Sequence, residues 1–464
     1  MPHAIRCALY PVLCLGIASL LFQPVFAQTV QSSFAADFKT RGYVWIRGTE
    51  DIRNDQPHED TRTFRNRIYL EGQFRPLADT AILFSALSDY LWLRNDGRRD
   101  DLSLEVFEAY VRQSDPKWDL RVGNQIVRWG KTDEISPVDN VNPQDLRQAL
   151  TLKLEDRKLP VFMARLQYFT PDGALEAIYL PHFRSSKLDF FESDWAVFNH
   201  LRQEIKDGPG VPSALKSYLD RIDVTEEDYS TGIDNSEIGV RYTGTARGRD
   251  YGLSYFYSRS RTPFIDRFPI TNISVEDPSG AALLSQISQL RFSDDTNVHV
   301  IYPRNQIWGA EMETTRGPYG IRGEMAYMTD RVFLNSDLTS TKKGIIHYVL
   351  GVDRTFANDL YANLQVSQRK IFNYDERIIF DREFETAFFL RLGKNLFYDK
   401  LRLKMDLYYN VTDNSYYLNP EIEFRYFDNL PIAVGANILD GPDDSLLGYY
   451  GKNDQAYVTA RLVF

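Results

Sequence analysis

The sequence predicts an all-β chain, a transmembrane antiparallel β-barrel of about 18 strands (16 possible) with an inward-folded loop between strands 5 and 6. Three observations predict it. Apolar and polar residues alternate with a period of two over many segments of about 10 residues, the length a tilted strand needs to cross the apolar layer. Tight turns alternate with longer, more polar links, as in barrels with short turns on one side of the membrane and loops on the other. The chain closes on VTARLVF, with Val458, Ala460, Leu462 and the terminal Phe464 on one face. Aromatic residues make up 14% of the chain, which suits half-apolar strands better than packed helices.

The first residues, MPHAIRCALYPVLCLGIASLLFQPVFAQ, place Arg6 ahead of an apolar run and Val25-Phe26-Ala27 ahead of Gln28. This pattern predicts a signal peptide over 1–27, cut after Ala27, and a barrel domain over 28–464. A retained anchor is the alternative, opposed by Pro11 and Pro24. Both cysteines, Cys7 and Cys14, lie in the leader, so the mature chain is expected to be free of thiols. The whole chain carries a formal charge of -10; loss of Arg6 leaves 53 basic against 64 acidic residues, or -11. That balance argues against nucleic-acid binding by a basic surface.

Strands are expected to start near residues 36, 63, 80, 102, 118, 161, 174, 236, 250, 297, 318, 345, 359, 382, 399, 415, 430 and 454. FRNRIYLEGQFR illustrates the alternation: Phe64, Ile68, Leu70 and Phe74 share one face, and Arg65, Arg67, Glu71, Gln73 and Arg75 the other. LRLKMDLYYNV repeats it, with Leu401, Leu403, Met405, Leu407, Tyr409 and Val411 against Arg402, Lys404, Asp406, Tyr408 and Asn410. Tight turns are expected at 76–79, 114–117, 170–173, 248–250, 316–318, 357–360, 394–399 and 428–431. Two long insertions, 182–235 and 262–296, remain open between a lid and a surface decoration; ALKSYLDRI and VFNHLRQEI in the first have helical character.

Parity on these strands yields the expected pore lining: Arg65, Arg67, Arg75, Arg121, Gln125, Arg165, Arg241, Arg322, Glu324, Arg369, Arg402, Lys404 and Arg425. Two readings of it stand side by side. A wide wet barrel needs a charge-paired lining for rigidity, and a ladder of arginines steers an anionic solute.

GNQIVRWGKTDEISPVDNVNPQDLR begins as a strand and loses its alternation at Trp129. Gly130 frees the backbone, Pro137 and Pro143 forbid ladder pairing, and Asp139, Asn140, Asn142 and Asp145 satisfy turn backbones. Asn142-Pro143 followed by QDLRQAL predicts a helix start, with Asn142 as its cap. The expectation is a constriction segment, Lys131 to Leu152, folded into the lumen and contributing Trp129, Asp133, Asp139, Asn142, Pro143, Asp145 and Arg147. A loop packed over the rim is the alternative.

This stretch resembles the signature of a proteobacterial porin-like outer-membrane family catalogued as a domain of unknown function. The resemblance is carried by Gly123, Gln125, Trp129, Gly130, Asp133, Asp139, Asn142, Pro143, Asp145, Leu146 and Arg147, and departs at Asn124, where a basic residue is expected. It implies a large barrel of porin or transporter type without a settled substrate.

Chemistry-bearing patterns are sparse. His58, His182, His200, His299 and His347 are scattered, with no Ser or Asp at a spacing that points to a nucleophile and base. The acidic groups Asp189, Glu192, Asp194 and TEED at 225–228 lack the spacing of a calcium loop. The sequence therefore predicts neither enzyme nor cofactor nor metal site, but an exported outer-membrane channel or transporter for a small solute. Its expected partners are outer-membrane lipid, lipopolysaccharide and the barrel assembly machinery. A plugged barrel serving as a surface binding protein, or as the outer-membrane part of an export pathway, is the second reading.

Overall fold

Alternation gives each segment one apolar and one polar face, and a closed sheet lets every strand bury its edges while turning the apolar faces outward. In the computed structural model eighteen such segments form one antiparallel sheet. Described are residues 38–464 apart from 54–61, 95–97, 149–150, 192, 209, 228, 230–232 and 277–284. The expected leader, His58, Glu192 and Asp228 lie outside the described residues.

The barrel strands are β1 (Phe38–Asp51), β2 (Arg62–Leu77), β3 (Thr80–Arg94), β4 (Arg98–Asp115), β5 (Trp118–Gln125) and β6 (Val161–Thr170). They continue with β7 (Gly173–Leu180), β8 (Glu237–Ala246), β9 (Arg249–Arg259), β10 (Arg304–Arg316), β11 (Tyr319–Leu334) and β12 (Ser340–Thr355). The last are β13 (Leu360–Ile371), β14 (Phe384–Leu396), β15 (Leu401–Asn410), β16 (Ser415–Phe424), β17 (Ile432–Asp440) and β18 (Gln455–Val463). Each pairs with its neighbour in sequence, and β1 closes on β18 with Tyr43 opposite Val463 and Asp51 opposite Gln455. All eight expected tight turns join strands, and the longer links fall between odd strands and their successors.

Parity sorts the two faces cleanly. Leu102, Leu104, Leu253 and Leu350 stand outward with more than half of their surface exposed, as a membrane-facing wall requires. Tyr255, Trp308 and Tyr327 lie side by side on that outer face, with ring centroids 5.3 and 5.8 Å apart.

One expected strand is corrected. The segment near 297 is not in the barrel: Asn297–Ile301 pairs with Phe264–Arg267 and Asp223–Glu226 in a separate three-stranded sheet. Pro303 interrupts the chain between them, since it has no N–H for a ladder, and β10 starts after it. The two long insertions build one body around that small sheet. Helices Asn199–Asp207 and Ser213–Asp220 bury Leu201, Ile205, Leu215 and Leu219 against Ile265, Val298 and Val300. Tyr449 and Asn453 of the link between β17 and β18 tie it down, donating to the carbonyls of Val197 (2.9 Å) and Asp194 (2.7 Å).

Candidate functional site: the segment inside the barrel

Between β5 and β6 the chain leaves the wall, and its backbone donors must find partners away from any ladder. Inward carboxylates supply them. Glu108 accepts from the Ile126 N–H (2.9 Å), Glu311 from Gly130 (2.8 Å), and Glu324 from Lys131, from Thr132 (2.6 Å) and from the Ser136 hydroxyl (2.6 Å). Gly130 is required here: its φ is +98°, and a Cβ would lie 2.6 Å from Glu324 Oε1.

On one side of the lumen the segment is held by apolar packing. Val127, Trp129, Val138 and Val141 join inward Met163, Ile178, Phe256, Ile307, Ala326 and Ile345 in one cluster. Trp129 is 2% exposed, donates from Nε1 to Glu176 (2.6 Å) and meets the Phe256 ring edge-on at 5.9 Å. Arg165 fixes the same glutamate from the other side, at 2.5 Å.

A second anchor is ionic. Asp145 sits 2.5 Å from Arg65 and 2.9 Å from Arg147; Arg65 also reaches Asp89 at 2.6 Å, and Arg147 reaches Asp101 at 2.5 Å. Arg67 donates to the Asp156 carbonyl at 2.6 Å. Burial alone would raise the Asp145 carboxyl, but Arg65, Arg147 and Arg67 together outweigh it and hold it well below the usual carboxylate range. Nearby, Asp139 and Lys158 pair at 2.7 Å; burial is the largest influence on both, lifting the acid and lowering the base.

Over the described residues 143–148 the helix expected after Asn142 is absent. Gln144 and Asp145 bridge to Lys158 and Lys187 in extended conformation, and a single α-helical turn follows at Leu154–Arg157. Asn142 is instead a three-way strut: its oxygen accepts from Val127 N (2.8 Å), and its Nδ2 donates to the carbonyls of Gln125 (3.0 Å) and Leu159 (2.8 Å). The Pro143 carbonyl accepts from Leu159 N, so the residues read as a cap close a long loop.

The segment also touches the wall at points from β11 round to β1. Asp133 meets Arg322 at 3.2 Å and also Asn363, Glu134 meets Arg391 at 3.4 Å, Asp156 meets Arg461, and the Thr151 carbonyl accepts from Arg47 at 3.0 Å.

The expected lining residues divide accordingly. Arg65, Arg67, Gln125 and Glu324 are covered, at 1%, 4%, 2% and 3% exposure; Arg65, Arg67 and Glu324 hold the inner segment, while Gln125 Nε2 donates to the Met163 carbonyl of the neighbouring strand at 3.0 Å. Arg121 and Arg112 share Asp119, Arg241 pairs with Glu311, Arg322 with Glu313, and Arg369 with Asp381 and Glu385. Arg75 is exposed at the turn end of β2, and Arg425 lies just past β16 beside Glu423. Arg402 and Lys404 do border open space. His347, scattered in sequence, lies with Nε2 2.8 Å from Ser367 Oγ on the neighbouring strand.

That open space lies on the side of β14 to β18 and β1. A cavity of about 440 Å³ is bounded by Arg47, Arg157, Arg331, Phe389, Tyr408, Tyr417 and Tyr457, among others. It shares Lys404 and Glu421 with a cavity of about 220 Å³, which shares Glu423 with a further one of about 440 Å³ at the tight-turn end, bordered by Lys400 and Arg425. Sequence reasoning missed Arg47, Arg157, Arg331 and the tyrosines. The available signal was aromatic residues at wet positions of the alternation, such as Tyr408 among Arg402, Lys404 and Asp406.

The match to the family described as "Protein of unknown function (DUF1302)" runs over residues 27–416. The chain belongs to this family. No curated protein matches it. Solved structures with a similar fold include Acinetobacter baumannii OccAB1 (TM-score 0.52, 8% identity, covering 94% of this chain and 99% of that one). Pseudomonas aeruginosa OccK5 (OpdH) is similar at TM-score 0.50 and 11% identity, over 93% and 99% of the two chains. Acinetobacter baumannii OccAB3 gives TM-score 0.50 at 9% identity, over 92% and 99%. At these identities the likeness establishes a porin-like β-barrel fold.

Proposed function

We propose that the chain is an outer-membrane channel that passes a small solute, with Lys131 to Leu152 acting as its constriction. The observation that carries the reading is the run of charged cavities beside the inner segment, from Arg47 and Tyr457 in mid-barrel to Arg425 at the tight-turn end. A wall that served rigidity alone would close such space with paired charges, whereas here the segment packs on one side and meets the other at isolated contacts with cavities between them. In this reading the outer face meets lipid and lipopolysaccharide, the assembly machinery inserts the barrel, and transport needs no covalent chemistry. Purified protein in planar bilayers is expected to give discrete single-channel current steps; a folded, inserted barrel without steps overturns the channel reading. The second reading, a plugged barrel that binds a surface ligand, is favoured by one observation: the segment is tethered to opposite walls through both Asp145–Arg65 and Glu134–Arg391.

A further inference from the structure

The mid-barrel cavity of about 440 Å³ has a volume typical of small-molecule sites, and its charges are unevenly satisfied. Around it stand six cationic side chains (Arg47, Lys153, Arg157, Arg331, Arg391, Lys404) and four carboxylates (Glu134, Asp139, Asp406, Glu421), a formal excess of two positive charges. The carboxylates are taken. Asp406 is held by Arg391 and Lys404, both at 2.7 Å, Asp139 by Lys158 at 2.7 Å, and Glu421 by the Tyr457 hydroxyl at 2.9 Å. Glu134 is divided between Arg157 at 3.5 Å and Arg391 at 3.4 Å.

Three guanidinium groups are left short of acceptors. Arg47 Nη2, Arg157 Nε and Nη1, and Arg331 Nε are buried without a hydrogen-bond partner among the described residues. Arg47 is 7% exposed and Arg157 3%, so both bring nearly whole guanidinium groups out of bulk water. Leaving a buried donor unmet is costly, and more so when it is charged. Unmet Nε atoms recur elsewhere, at Arg67, Arg241 and Arg369 for example, but among the described residues buried terminal Nη atoms without a partner occur only at Arg47 and Arg157, both on this cavity. The acceptors Arg331 would otherwise use, Asp381 and Glu385, are occupied by Arg369.

Among the uncharged lining residues are Phe389, Tyr408, Tyr417, Tyr457, Ile135, Leu152 and Leu154, beside the polar Ser136, Gln144, Thr151 and Asn419. Arg47 Cζ stands over the Tyr457 ring, 4.0 Å from its centroid, a cation–π contact that holds the guanidinium at the cavity wall.

We infer that this cavity is a binding site for a small organic oxyanion with an aromatic or similarly flat apolar body, the head group meeting Arg47, Arg157 and Arg331 and the body lying against Phe389, Tyr408 and Tyr417. Guanidinium forks match carboxylate and phosphate oxygens in bidentate geometry, and a charge-assisted contact is stronger than the solvent contact it replaces. The inference deepens the channel reading by naming the solute class and rests on it for its biological sense. Carboxylate and phosphate heads share this chemistry, and the test separates them.

The test is equilibrium dialysis of radiolabelled phenylacetate and phenyl phosphate against the folded full-length barrel in detergent. One or both are expected to bind saturably, and the tighter of the two identifies the head group. Unlabelled phenylacetamide, which lacks the charge, and acetate, which lacks the body, are each expected to compete at least tenfold more weakly than phenylacetate. Arg47→Gln combined with Arg157→Gln is expected to weaken binding at least tenfold, and Arg47→Lys, which keeps the charge and loses the fork, about threefold or more. Equal competition by phenylacetamide or by acetate, absence of saturable binding of either probe, or undiminished binding to the double variant overturns the site. The competition series uses unaltered protein, so a misfolded variant leaves the result decisive. Binding is read without current; a barrel that binds the probes and conducts nothing loses the channel reading and keeps the site.

Discussion

The inner wall has two halves built on the same alternation and put to different uses. From β6 to β13 the inward residues include Met163, Ile178, Phe256, Ile307, Ala326 and Ile345, and the segment between β5 and β6 packs its valines and Trp129 on them. From β14 round to β1 the inward residues are Arg391, Lys404, Tyr408, Tyr417, Tyr457 and Arg47, and cavities lie in front of them. The lesson is that inward direction alone does not make a residue part of a pore. Apolar inward positions attract a loop, and the charged positions next to them become its anchors, whereas a stretch of mixed cations and tyrosines offers a loop little to bury and leaves cavities in front of it.

The comparison breaks most visibly on the packed half. Trp129→Ala removes a fully buried ring and one hydrogen bond to Glu176, so a loss of about 3–5 kcal/mol is expected, read as the denaturant midpoint of the heat-modifiable band. An equally large loss from Tyr408→Ala on the open half would erase the distinction.

The ionic anchor gives a pH signature. Asp145 is held below the usual carboxylate range, so its stabilisation is complete above the unfolded value near about pH 4 and is lost as pH falls from there toward the depressed folded value. Asp145→Asn is expected to cost about 3 kcal/mol at neutral pH, because Arg65 and Arg147 lose their shared buried partner. It should also flatten the decline of stability below pH 4. A wild-type and variant pair with parallel acid profiles would place the anchor elsewhere.

The smallest expected effect sharpens the open half. Arg402 borders the cavity without a buried network, so Arg402→Gln should change stability by less than about 0.5 kcal/mol while lowering the anion preference of the current in planar bilayers. Unchanged selectivity would return this arginine to a plain wet lining.

The sequence carried the barrel, its strand number and the place of its turns, because a period of two and a turn residue are local signals. Seventeen of the expected strand starts fall near barrel strands, and the other was displaced by Pro303. The segment between β5 and β6 was legible as unusual through Gly130, Pro137, Pro143 and Asn142. Its internal structure was not, since Asn142 finds its partners at Val127, Gln125 and Leu159, and a cap motif read locally cannot foresee them. Parity put Arg65 and Glu324 on the wet face but could not show the loop over them. Arg157 escaped notice for the same reason: it reaches the cavity from the loop, where no alternation marks a face.

The division of the lumen is tested most directly by thiol labelling, for which residues 28–464 offer a background without cysteine. Ala326→Cys lies under the segment at a position 0% exposed, and Arg402→Cys borders the cavity leading to the tight-turn end. With a negatively charged methanethiosulfonate reagent and detection by mass spectrometry, the account predicts complete labelling at residue 402 within the time that residue 326 stays unmodified in the folded barrel. Labelling of both at comparable rates would contradict it.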